Sequence, residues 1–204
     1  MTAPVRFTVW SDFLCPWCYV AAARLEAVRR EAGDALRIEW KSFLLRAVPE
    51  ERPMHRFRAY TESWLRPARA EPATRFAIWS GDNPPPTHSM PSAIAGKVAA
   101  SFGEDAFDRF HLALMHAYFA ESRDISDRAE ILDVAAGCGL DAETFAARLD
   151  GRSAELAAAV LADHKDALGR GIAAVPTVVV DGEHILSGAL QTAQYLKILT
   201  RLAS

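Results

Sequence analysis

The spacing of hydrophobic and polar positions changes period several times along this chain. In "VRFTVW" (5–10) the β-favouring residues Val5, Phe7 and Val9 alternate, and beyond Pro16 the period lengthens, with Ala21, Leu25, Val28 and Ala32 at helical spacing. Gly33 and Asp34 stop that helix, and "LRIEWKSF" (36–43) alternates again with Leu36, Ile38, Trp40 and Ser42 on one side. A strand, helix and strand of this length predict a parallel pair joined by a right-handed crossover. From about Met54 to Arg170 no strand pattern recurs; Ala-rich amphipathic segments alternate with breakers. The strongest break is "SGDNPPPTHSMPS", whose Pro84, Pro85 and Pro86 cannot continue a helix, while Ser89 and Pro91 suit the start of the next one. Asp124, Ser126 and Asp127 mark a further helix start, Gly137 and Gly139 a stop, and Asp141 another cap. "VPTVVVDGEHILSG" (175–188) then reads as a strand, a two-residue turn at Asp181-Gly182 and a second strand through Ile185. The closing "LQTAQYLKILTRL" places Leu190, Ala193, Leu196, Ile198 and Leu199 on one helical face.

The predicted order is therefore β-α-β, a long helical block, then β-β-α. The chain has 204 residues, half of them apolar, enough for a substantial core. A net charge of −3 with interspersed signs offers no basic stripe, so neither nucleic acid nor a membrane surface is an expected partner. The apolar run before Asp12 is too short for a secretory leader, and no segment reaches the roughly 18 apolar residues of a membrane span, so a cytoplasmic location is expected. Three cysteines, an odd number, argue against a secreted disulfide framework.

The chemistry concentrates in "SDFLCPWCYVAAARLE" (11–26). Cys15 and Cys18 would need further ligands to hold a metal, and there is no second CxxC, no HxxxH and no nearby His, so no metal is expected. As a structural staple the pair would close a very short loop for little entropic benefit. A redox couple accounts for each residue. Pro16 suits a first helical turn, Cys15 would sit at the helix N-terminus against free N–H groups, and Cys18 would lie on the same side but deeper. Cys15 is thus the expected nucleophile and Cys18 the resolving thiol. Trp17 is expected at the surface between them. Asp12 is read as a turn cap with a proton-accepting role as the alternative, and His88, in "PPTHSM", as a surface residue within reach of the cleft. Cys138 reads as an inert buried thiol, and His111 and His116 as residues on the face of an amphipathic helix.

These segments, with "AYFAESRDISD" (117–127) and "AVPTVVVDGEHILSGA" (174–189), resemble the DsbA family, and more narrowly its cytoplasmic FrnE-like branch. The resemblance implies an α/β thioredoxin-like fold with a large all-helical insertion: residues 1–52 and 166–204 would form the thioredoxin-like part, and 53–165 the insertion. It also implies a cis bond before Pro176, opposite the cysteines, with Val175, Pro176 and Thr177 positioning an extended substrate alongside Pro16 and Trp17. The implied activity is disulfide reduction or isomerisation on protein or small-molecule substrates. No organic cofactor is implied, and glutathione or a thioredoxin-type reductant would recycle the couple. Pro-Trp stands where strongly oxidising members carry Pro-His, which points away from net oxidation. Alternatives are glutathione-dependent isomerisation of the 2-hydroxychromene-2-carboxylate type, whose enzymes typically carry serine at the first cysteine, and a redox-switched chaperone.

Overall fold

The structure is a computed structural model that describes residues 3–202. Strand β1 (Val5–Ser11) leads through a tight turn into helix α1 (Pro16–Ala32), and β2 (Leu36–Ser42) returns parallel to β1 in the register Val5 to Leu36 through Ser11 to Ser42. After the helical block, β3 (Thr177–Val180) pairs antiparallel with the other side of β1, and β4 (His184–Ser187) pairs antiparallel with β3. The sheet order β2-β1-β3-β4 makes β1 a central strand. Seven helices fill the interval between β2 and β3 among the described residues: α2 (Met54–Thr61), α3 (Leu65–Ala70), α4 (Met90–Ala100), α5 (Glu104–Glu121), α6 (Arg128–Gly137), α7 (Ala142–Gly151) and α8 (Ser153–Gly169). Helix α9 (Thr192–Leu202) follows β4. No helix among the described residues is long and apolar enough to cross a membrane.

Alternation in β1 under-reports its burial, because both faces of the strand are covered. Phe7 and Val9 pack with Leu25 and Val28 of α1 and Tyr195 and Leu199 of α9, whereas Trp10 packs on the opposite face with Phe43, Val179 and Ala167 of α8. A second core lies among the helices, where Phe57, Trp64, Trp79, Tyr118 and Phe119 meet at ring separations such as 4.8 Å for Trp64 and Phe119 and 5.0 Å for Phe57 and Trp79. Helix α1 serves both cores. Its first turn, with Cys18, Tyr19 and Ala22, joins the helical core, and Leu25 and Val28 join the sheet core.

Three local expectations change. Val180 pairs with His184, so the hairpin loop has three residues, 181–183, instead of two. Asp181 is drawn towards β1, where its N–H donates to Arg6 O at 2.8 Å and its Oδ1 accepts from Arg6 N–H at 2.8 Å. The fully buried positions of α9 are Tyr195 and Leu199, with Leu190, Leu196 and Ile198 partly buried against the same core and Ala193 exposed. Ser89 does precede α4, but its hydroxyl makes no cap bond and accepts from Arg46 N–H at 3.2 Å instead. Asp127 and Asp141 are side-chain caps as expected, accepting from Ala129 N–H at 2.8 Å and Thr144 N–H at 2.7 Å.

Arg24, which the periodicity of α1 leaves as an ordinary helix residue, is 2 % exposed. Its guanidinium donates to Glu71 Oε2 at 2.9 Å, Ala70 O at 2.6 Å and Ala189 O at 2.8 Å, tying α1 to the end of α3 and to the segment before α9. Replacing it by methionine keeps much of the stem but strands the Glu71 carboxylate and those carbonyls. Arg24→Met should lower unfolding free energy by about 3 kcal/mol in urea titration; a loss below about 1 kcal/mol would show that water replaces the guanidinium.

Candidate active site

The end of β1 is turned into α1 by a buried carboxylate. Asp12 is 2 % exposed; its Oδ1 accepts from Leu14 N–H at 2.7 Å and its Oδ2 from Leu45 N–H at 2.7 Å, while its main-chain oxygen accepts from Cys15 N–H at 3.1 Å. Burial pushes the carboxyl above its usual range, opposed in part by the Ser89 side chain and then by the two N–H groups. With both oxygens engaged, Asp12 holds the loop before α1 against the loop after β2, as a cap does. Helix α8 fastens the same region: Asp163 Oδ2 accepts from Ser42 N–H at 3.0 Å and also from Lys97 Nζ, its main-chain oxygen accepts from Trp10 Nε1 at 3.1 Å, and His164 Nδ1 accepts from Leu44 N–H at 3.2 Å.

That frame places the two cysteines unequally. Cys15 is the N-cap of α1, with Pro16 at the first helical position, and its Sγ accepts from Cys18 N–H at 3.3 Å. Such a site favours negative charge on the sulfur. Cys15 retains 5 % exposure and Cys18 none. Burial pushes the Cys18 thiol well above its usual range, and the neighbouring Cys15 adds to the shift. The Val175–Pro176 bond is cis, and Val175 O lies 3.5 Å from Cys15 Sγ, so the residue before the proline faces the first cysteine. Pro176 is buried and its oxygen accepts from Gly188 N–H at 2.8 Å; Thr177 Oγ1 donates to Ala174 O at 2.8 Å. Trp17 is 37 % exposed beside the pair, and Pro16 is half-buried.

Other candidates lie elsewhere. His88 is half-buried with Nδ1 2.9 Å from Thr87 Oγ1. Cys138 is half-buried, not buried, because it caps the C-terminus of α6 with Sγ 3.7 Å from Arg109 O; burial still raises its thiol. His116 stays near the surface, its Nδ1 3.4 Å from the Tyr19 hydroxyl and its Nε2 3.4 Å from Glu121. His111, expected on a face of an amphipathic helix, lies on the buried face of α5: it is 2 % exposed, with its ring 5.0 Å from Phe13, 4.5 Å from Trp40 and 5.0 Å from Phe107. Burial lowers its pKa to about 3, so the imidazole is neutral. The signal was present in the spacing, since Phe107, His111, Leu114 and Tyr118 form one stripe of α5.

A family model for the DSBA-like thioredoxin domain matches residues 6–200. Protein YwbO of Bacillus subtilis, a protein without a described function, is 25% identical over 201 residues, covering 91% of this chain and 90% of the relative. The crystal structure titled "probable DsbA oxidoreductase" from Streptomyces coelicolor is 26% identical, with a TM-score of 0.73, and the match covers 97% of this chain and 89% of that one. The cytosolic disulfide reductase DsbM from Pseudomonas aeruginosa, solved with glutathione, is 21% identical, with a TM-score of 0.75, over 98% of this chain and 100% of the other.

Two outcomes follow from this geometry. Brief exposure of native, reduced protein to iodoacetamide should modify Cys15 well before Cys18, whose sulfur is enclosed and protonated; peptide mapping that finds Cys18 labelled first would reverse the assigned order. The His111 imidazole has a folded pKa of about 3 against 6.5 when unfolded, so it contributes stability above about pH 6.5 that is lost as pH falls towards 3. Across that window wild type should lose about 1.4 kcal/mol per pH unit relative to His111→Phe. Parallel stability curves for the two proteins would contradict a neutral buried imidazole.

Proposed function

We propose that this chain, which belongs to the DSBA-like thioredoxin domain family, is a disulfide reductase or isomerase acting through Cys15 and Cys18. The supporting observation is the inequality of the pair, with Cys15 at a helix N-terminus facing Val175 and Cys18 enclosed behind it. In the first step the Cys15 thiolate attacks one sulfur of a substrate disulfide; a Cys15–substrate bond forms and the other substrate sulfur leaves as a thiolate. That thiolate is a base strong enough to take the Cys18 proton, directly or through water. Cys18 then attacks Cys15 Sγ, the mixed disulfide breaks, and the substrate departs as a second thiolate. Two electrons have passed from the dithiol to the substrate, and the pair is left as a disulfide. If the substrate's own free thiol attacks first, the product is a rearranged disulfide and the pair stays reduced. Val175, held by the bond to Pro176, presents its main-chain groups to an extended substrate strand, and Trp17 supplies an apolar contact beside the sulfurs.

The likeness to the cytosolic DsbM, whose structure holds glutathione, supports a cytoplasmic setting with glutathione as recycling reductant or as co-substrate. Oxidised glutathione released by recycling would be reduced by the cell's own system.

In an insulin-reduction assay with glutathione, Cys15→Ser should abolish turnover, and Cys18→Ser should accumulate a mixed disulfide that non-reducing mass spectrometry detects. Turnover that survives Cys15→Ser would move the activity to another thiol of the chain. The couple should equilibrate with glutathione buffers at about −200 mV, between the about −120 mV of strong oxidants and the about −270 mV of thioredoxin. At that value a cytosol poised at about −220 to −320 mV keeps the pair mostly reduced. A potential near −120 mV would make the protein a net oxidant.

A further inference from the structure

A cavity of about 380 Å³ lies along the outer edge of β2, between that strand and helices α4 and α5. Neither cysteine lines it, nor do Trp17 and Val175, so it lies beside the exchange site and meets it only at the turn Ser11, Asp12 and Phe13. Its size falls in the range of small-molecule pockets, at the end suited to one or two rings. One part of the wall is apolar and aromatic, formed by Phe13, Ile38, Trp40 and Phe107 with Gly96 of α4 opposite, and charged side chains of β2, α4 and α5 line the rest. A Cβ at Gly96 would come within 3.0 Å of the Phe13 ring, so the glycine lets that ring lie against α4.

Three of the four cations that line the cavity are held in close ion pairs, and the fourth, Arg37, is half exposed with Asp34 3.9 Å away. Arg29 pairs with Asp108 at 2.6 Å, Lys41 with Asp166 at 2.8 Å, and Lys97 with Asp163. An anion seated against Arg29, Lys41 or Lys97 would have to break one of these pairs, whereas an uncharged ligand would not. One polar side chain in the wall has no partner. His111 is 2 % exposed, edge-packed by three aromatic rings, and among the described residues nothing hydrogen-bonds its ring nitrogens. A neutral imidazole carries one donor and one acceptor, and its nitrogens are not among the buried atoms sealed without a partner, so they are open to a ligand. Ser11, whose hydroxyl is buried without a partner, also lines the space. The edge strand adds further groups: Ser42 N–H points away from β1 to Asp163, so Ile38 and Trp40, which share its phase, turn their main-chain N–H and C=O towards the cavity.

We propose that this cavity binds a flat, uncharged, mostly apolar molecule carrying a single hydroxyl or carbonyl group, with its ring between Trp40 and Phe107 and its oxygen on His111. Aromatic walls favour a ring, which gains edge-to-face and offset contacts beyond its buried area. The oxygen gives His111 the partner that the protein withholds.

The probes are p-cresol, toluene and 4-methylbenzoate, titrated into the reduced full-length protein and followed by calorimetry and ligand-observed NMR. Saturable binding of p-cresol is expected, about tenfold tighter than toluene, the worth of one buried hydrogen bond. His111→Phe should bring p-cresol to the toluene level while leaving toluene unchanged. Ala100→Trp, at an exposed position of α4 that lines the mouth, should weaken both by tenfold or more without disturbing the fold. Absence of saturable binding for both neutral probes overturns the proposal. So does p-cresol binding that withstands Ala100→Trp, or that His111→Phe does not alter. Tighter binding of 4-methylbenzoate than of p-cresol would replace the uncharged ligand with an anion and equally refute it.

Discussion

A single buried carboxylate organises the exchange site. Asp12 sits where the central strand ends, and each of its oxygens is spent on a main-chain N–H, one from the turn that enters α1 and one from the loop that leaves β2. Because the two loops come from opposite ends of the crossover, the carboxylate fixes their separation, and Cys15 N–H is then tied to the same residue's carbonyl. Burial opposes the charge and the N–H groups favour it. The same two contacts bind the loops on either side of the crossover to one side chain.

The second constraint is the division of α1 between two cores. A helix buried along its whole length in one core would lie at a fixed depth, whereas here the first turn faces the helical block and later turns face the sheet. The catalytic end of the helix therefore lies at the seam. Arg24 stands at the crossover between the two packings, and its guanidinium reaches elements on both sides. The redox end of α1, with both cysteines, thus packs in one core with side chains of the helical block. Tyr19, stacked on Phe119 at 5.6 Å, is the most direct of these links.

The sequence made the chain order and the thiol motif legible because both depend on neighbours: alternation in β1 and β2, helical spacing in α1, and the proline between the cysteines. Asp127 and Asp141 were legible as caps for the same reason, each accepting from an N–H two or three residues ahead. What stayed hidden depends on partners far along the chain. Arg24 looks like a solvent-facing helix residue until Ala189 is brought beside it, and Asp12 looks like a simple cap until Leu45 supplies its second donor. The hairpin lengthened because Arg6, 175 residues earlier, competes for Asp181. His111 was legible in part: its spacing placed it on the apolar stripe of α5, but a polar residue there is conventionally read as sitting at the edge.

The polarity of the thiol pair follows from these constraints together. The Asp12 turn fixes where α1 begins, so Cys15 becomes the cap and Cys18, one turn later, falls on the side that faces the helical core. Had the helix begun three residues later, Cys18 would occupy the N-cap and Cys15 the preceding loop, and the roles would reverse. Depth also sets the order of events. A fully enclosed Cys18 holds its proton until exchange at Cys15 produces a basic leaving group nearby, so a second attack cannot precede the first. The same enclosure slows resolution when no such base is present, which gives a substrate time to rearrange while bound. Isomerisation and reduction are in this sense two outcomes of one geometry, separated by whether the substrate's thiol or Cys18 reaches the mixed disulfide first.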